Sequence, residues 1–122
     1  PLNKCLLTAD PDKAEKIEQE LAEKFGDQIN IFRSEPYFVE IMPPNVHKAT
    51  SLEKLLEVLD MDRKDLVACG DGYNDLTMIE YAGVGVAMAN AQDIVKEHAN
   101  YITLSNDEDG LVPVVDKFIL AD

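Results

Sequence analysis

The sequence is short of positive charge: 11 lysines and arginines stand against 24 aspartates and glutamates, giving 122 residues a formal net charge of -13. The few basic residues nowhere cluster. Such a field repels phosphate backbones and anionic lipids, so binding of nucleic acid or membrane by charge is disfavoured, and an anionic small molecule would need a metal or a well-placed lysine. Cysteine is scarce too. Cys5 and Cys69 lie far apart, each in an apolar run, which predicts reduced core thiols rather than a disulfide framework or a zinc site. His47 and His98 have no metal-ligand spacing. No stretch approaches the roughly 18 apolar residues of a membrane span, and no signal-peptide pattern, internal repeat or low-complexity tract occurs. With 46% hydrophobic residues, these shortages predict a globular, soluble, cytoplasmic chain. Its first residue is Pro1 rather than Met, which points to a fragment or a trimmed chain.

Apolar periodicity lays out the elements. A short strand over Lys4 to Thr8 leads to Asp10 as helix cap and Pro11 at the first helical position, and Ala14, Ile17, Leu21 and Phe25 recur at helical spacing until Gly26. Ile29 to Arg33 and Tyr37 to Met42 read as strands. Pro43 and Pro44 end the second and mark a domain boundary, giving residues 1–44 and 45–122. Beyond it, Leu52, Leu55, Leu56 and Leu59 form one face of a helix, with Thr50 and Glu53 spaced as a capping box, although the start could lie a turn earlier. There follow a buried strand over Leu66 to Cys69, a helix over Leu76, Ile79 and Ala82, a strand over Val84 to Met88, and a short helix with Ile94 and Val95 capped by Asn90. A strand over Tyr101 to Leu104 and a last helix from Leu111 complete the pattern. Alternating helices and strands of this kind predict an α/β fold with a parallel, doubly wound sheet.

The segment LVACGDGYNDLTMI, residues 66–79, carries the most chemistry. It puts Asp71 and Asp75 at the C-terminal end of a buried strand, one helical turn apart, with the amide of Asn74 between them. Open α/β sheets bind ligands outside those strand ends. Two carboxylates aimed at one point suit a hard cation such as magnesium, which takes one or two carboxylates together with water and substrate phosphate. The structural alternative is that Asp71 or Asn74 caps the next helix while Asp75 complements its dipole, which leaves the glycines on both sides of Asp71 without a reason. Lys48, near a helix start, is electrostatically out of place unless an anion lies nearby; otherwise it is a solvated lysine. Asn90 reads most simply as a helix cap, with a hydrogen bond close to the site as the other option. Two imitations fail. Ser105 to Asp116 mimics part of a calcium loop but has serine first and aspartate last, and Gly70 and Gly72 begin a dinucleotide fingerprint that Asp75 does not complete.

The stretches GDGYNDLTMIEYAGVGVAMANA, VHKATSLEKLLEVLDM and YITLSNDEDGLVPVVDKF together resemble the haloacid dehalogenase-like (HAD) phosphatases, in particular their Cof-type sugar-phosphatase branch with an α/β cap. The resemblance covers about two thirds of the chain, at family-specific spacing. It implies a Rossmann-like core, magnesium, and hydrolysis of a small phosphorylated metabolite through an aspartyl-phosphate. Residue by residue it implies that Lys48 neutralises the phosphate, Asn74 and Asn90 lie on the phosphate side, Asp71 ligates magnesium and Asp75 supports or shares that metal. His47, Ala49 and Ala89 depart from the family pattern, departures that bear on the fine fit of the loops and not on these roles.

A larger departure concerns the attacking group. The family's nucleophile is an aspartate in an Asp-x-Asp motif on the first core strand, whereas Asp10 and Asp12 flank Pro11 at a helix start. The resemblance therefore implies a C-terminal fragment: residues 1–44 the remnant of a cap, residues 45–122 the C-terminal half of a HAD-like core, inactive alone. Such a fragment would associate with further copies through its open strand edges. A noncatalytic metal-binding or partner module that completes a site on another chain is the alternative.

Overall fold

The computed structural model describes Asn3–Ala121. The chain divides into two compact units between His47 and Lys48, three residues beyond the boundary expected from the proline pair.

In the first unit, strand β1 (Cys5–Thr8) leads into helix α1 (Pro11–Phe25), then strands β2 (Asn30–Glu35) and β3 (Phe38–Met42). The sheet is antiparallel in the order β1-β3-β2. Asp10 stands at the N-cap with Pro11 behind it, as the sequence implies, and Gly26 closes the helix at a positive φ of 50°. The helix lays its apolar stripe on β2 and β3, where Ala14 and Val39 are fully enclosed. Arg33 Nε donates to Glu18 Oε2 at 2.8 Å, joining helix to strand. All four residues of β1 are exposed, Cys5 included. The core-thiol expectation for Cys5 is thus overturned: among the described residues β1 pairs with β3 alone and lies at the edge of its sheet.

The second unit alternates helix and strand: α2 (Lys48–Leu59), β4 (Val67–Gly70), α3 (Leu76–Tyr81), β5 (Val84–Ala87), α4 (Asp93–His98), β6 (Tyr101–Ile102) and α5 (Leu111–Phe118). Its sheet is parallel, ordered β4-β5-β6, with Gly70 opposite Ala87 and Ala87 opposite Ile102, so the three strands end level. Ile79, Ala87, Ala91 and Val95 form the buried cluster between the sheet and helices α3 and α4. This is the expected α/β layering. Cys69 is half-buried and burial pushes its thiol up, which keeps it in the unreactive form.

Three local expectations are revised. Helix α2 begins at Lys48, so Thr50 and Glu53 fall inside it and form no capping box at its start. Helix α4 takes Gln92, not Asn90, as its N-cap. The last strand ends at Ile102, two residues short of the expected end, although its main-chain bonds to the β5 segment run on: Thr103 N donates to Ala87 O at 2.9 Å and Leu104 O accepts from Ala89 N at 3.2 Å, while Thr103 Oγ1 donates to Gly110 O at 2.6 Å. The polar run that imitates a calcium loop is a 3-10 turn over Asn106–Glu108, where Ser105 N and Oγ both donate to Glu108 Oε2, at 3.2 and 2.6 Å.

Candidate active site

Because the three parallel strands end level, the loops that follow them rise from one edge of the sheet, where ligands of open α/β sheets bind. The loop after β4 carries Asp71, Asn74 and Asp75, the segment after β5 carries Asn90, and the turn after β6 carries Asn106.

Asp75 organises the first of these loops. It is 6% exposed and is the last residue of a 3-10 turn over Tyr73–Asp75, from which its carboxylate reaches backwards. Oδ2 accepts from Asp71 N at 3.0 Å and from Gly72 N at 3.1 Å, satisfying two amides that a helix start leaves without partners. Oδ1 accepts from the Lys48 ammonium at the head of α2. Burial works to raise this carboxyl, but the Lys48 hydrogen bond, the Gly72 and Asp71 amides and the Lys48 charge together hold it below the usual carboxylate range. Gly70 is required for this arrangement: a Cβ there would stand 2.4 Å from Asp75 Cβ. The lysine that looks misplaced at a helix start thus has its anion in Asp75, 27 residues along the chain.

Asp71 is exposed, in contrast to Asp75. Its Oδ2 accepts from Asn90 Nδ2 at 3.0 Å, and its backbone oxygen accepts from Gln92 N at 3.0 Å. The two acids therefore do not share one environment. Asp75 spends both oxygens inside the protein, and Asp71 faces outward. Asn74 is half-buried beside Gly72, where a Cβ would meet its Oδ1 at 2.8 Å. Lys48, Asp71 and Asp75 thus come together through direct contacts, Asn90 joins them through Asp71, and Asn74 lies in the same turn. The sequence reading missed Asn106, whose backbone N–H donates to Asn90 Oδ1 at 3.1 Å. A main-chain donor carries no residue-type signal.

As a place for a cation, the loop offers the chemistry of a hard ion. Among the described residues no three acidic, histidine or cysteine side chains gather, so the donors from this chain are oxygens of Asp71 and, less openly, Asp75. Magnesium is commonly held by one or two carboxylates with the remaining positions filled by water and phosphate, and that donor set fits.

Comparison with known proteins places the fold and these loops in one family. The haloacid dehalogenase-like hydrolase family matches residues 1–115, and the chain belongs to it. A 5-amino-6-(5-phospho-D-ribitylamino)uracil phosphatase of Bacillus subtilis is 40% identical over 111 residues, which are 91% of this chain and 44% of the relative. A haloacid dehalogenase-like hydrolase from Bacteroides thetaiotaomicron superposes with a TM-score of 0.82 at 51% identity, covering 96% of this chain and 44% of that one. A HAD/COF-like hydrolase from Plasmodium vivax superposes with a TM-score of 0.87 at 26% identity, covering 95% and 41%. The chain thus spans less than half the length of these relatives.

Proposed function

We propose that this chain is the C-terminal part of a magnesium-dependent phosphatase that hydrolyses a small phosphorylated metabolite such as a sugar phosphate. The observation that carries the reading is the buried Asp75 carboxylate, which ties the Lys48 ammonium and the Asp71 backbone together at the ends of parallel strands. Phosphoryl transfer is mostly positioning and charge stabilisation, and an acidic protein with net charge -13 needs its positive charge placed where the phosphate oxygens sit. Lys48 supplies one such charge, and its ion pair with Asp75 fixes the ammonium before substrate arrives. Asp71 would hold magnesium, with Asp75 supporting it by setting the Asp71 backbone. When bound, the ion adds charge neutralisation at the phosphate. Asn74, in the same turn, offers an amide to a phosphate oxygen. The named substrate of the Bacillus subtilis relative is a phosphate ester of a polyol chain, which supports a small, hydroxyl-rich substrate class.

The attacking aspartate lies outside these residues in this reading. Asp10 and Asp12 start a helix behind an exposed antiparallel strand, and Asp10 Oδ2 is 3.4 Å from Lys13 Nζ, so neither stands at the end of a buried parallel strand. Removing a covalent nucleophile removes the intermediate itself. The chain alone, given an aryl phosphate and magnesium, is expected to release no phosphate, while the longer protein does so and stops on chelation. Turnover by the chain that survives repurification and vanishes in Asp71→Ala would place the nucleophile within it. A longer protein with no magnesium-dependent turnover would overturn the reading.

A further inference from the structure

Asp71 is held from several sides. Its N–H donates to Asp75 at 3.0 Å, its C=O accepts from Gln92 N at 3.0 Å, and its Oδ2 accepts from Asn90 Nδ2 at 3.0 Å. Asn90 is itself fixed, because its Oδ1 accepts from Asn106 N at 3.1 Å. One carboxamide therefore spans the loops that follow all three parallel strands, donating to the first and accepting from the third. Asparagine suits this post. Aspartate could accept from Asn106 but would face Asp71 with like charge, and alanine could do neither.

We infer that Asn90 is a positioning residue that occupies Asp71 Oδ2, leaves Oδ1 as the oxygen open to a cation, and so biases the site toward small octahedral ions over calcium. The inference rests on Asp71 being a metal ligand. A carboxylate with one oxygen engaged by an amide presents a single oxygen, which suits an ion of magnesium's size. Calcium accepts both oxygens of a carboxylate and tolerates irregular geometry. Groups that orient a metal ligand from behind typically cost 10- to 100-fold in metal affinity when removed.

The test is manganese binding, followed by the free-ion electron paramagnetic resonance signal, in the longer protein without substrate. Calcium serves as competitor. Asn90→Ala is expected to weaken manganese binding about tenfold and to raise the effectiveness of calcium relative to manganese. Asn106→Pro provides an independent cut. It removes the N–H that holds Asn90, together with the exposed Asn106 Nδ2 bond to Asp107 Oδ1 (3.2 Å), at the first position of the turn, where proline is tolerated, and Ser105 (φ -73°, ψ 169°) already has the extended backbone that a residue before proline adopts. It should shift the competition in the same direction, by less. Asp71→Ala separates the two readings. If it binds manganese as the wild type does, Asp71 is no ligand and both ideas fall. If it loses binding while Asn90→Ala and Asn106→Pro keep wild-type affinity and the wild-type calcium ratio, the metal site stands and the role given to Asn90 is overturned.

Discussion

The two units bury their sheets differently. The antiparallel sheet of β1, β2 and β3 has, among the described residues, α1 packed on it, encloses Ala14 and Val39, and leaves Leu6 and Leu7 on β1 52% and 39% exposed. The parallel sheet of the second unit has α3 and α4 packed on it, and Ile79, Val86 and Val95 are almost wholly enclosed. What differs is tolerance. A loop that must hold a carboxylate within a few tenths of an ångström needs strand ends that cannot shift, and close packing supplies that. An edge strand exposed along its length can change its surface at little cost.

The sharpest way to break the comparison is to empty the enclosed side. Ile79→Ala should destabilise the protein by about 2–5 kcal/mol, as buried isoleucine truncations do, whereas Leu7→Ala on β1 should stay within about 0.5 kcal/mol. Urea midpoints at unchanged slope would measure both. Equal losses would mean that the two sheets are equally enclosed.

A smaller effect is expected at Gly70, whose missing Cβ makes room for Asp75. Gly70→Ala overpacks that contact and should cost about 1–3 kcal/mol. Asp75→Asn should relieve little of it, because the clash is with the Asp75 Cβ.

The smallest effect is a pH dependence. The folded-state pKa of Asp75 is depressed, so its contribution is present above the unfolded value of about 4 and is lost as pH falls through the lower folded value. Acid unfolding of Asp75→Asn should therefore be shallower than that of the wild type across that acidic window. Parallel acid curves would show that the Lys48 pair adds nothing to stability.

Much of this was legible in the sequence, for physical reasons. Helix α1 announced itself through Asp10, Pro11 and Gly26, and the buried strands through Val67 to Cys69 and Val84 to Ala87, because local sterics and burial fix such segments. Cys5 misled because an apolar run reads the same in an enclosed strand and at an edge. Of the two readings of Asn90, the helix cap fails and the hydrogen bond close to the site holds; residue type could not choose between them, because the partners, Asp71 and Asn106, lie 19 and 16 residues away. Lys48 was open in the residues alone, a solvated lysine unless an anion lay nearby, and only the family resemblance gave it a place in the site. Its reason for standing at a helix start is Asp75, and only the closed fold brings the two together.

The most direct measurement of the central claim is the rate of phosphate release by the longer protein carrying Lys48→Ala or Asp71→Ala, with circular dichroism confirming the fold. Each variant is expected to lose about 10²- to 10³-fold in rate, as enzymes do when a charge-stabilising group is removed. Wild-type kinetics in both would contradict the account and return Lys48 and Asp71 to structural roles.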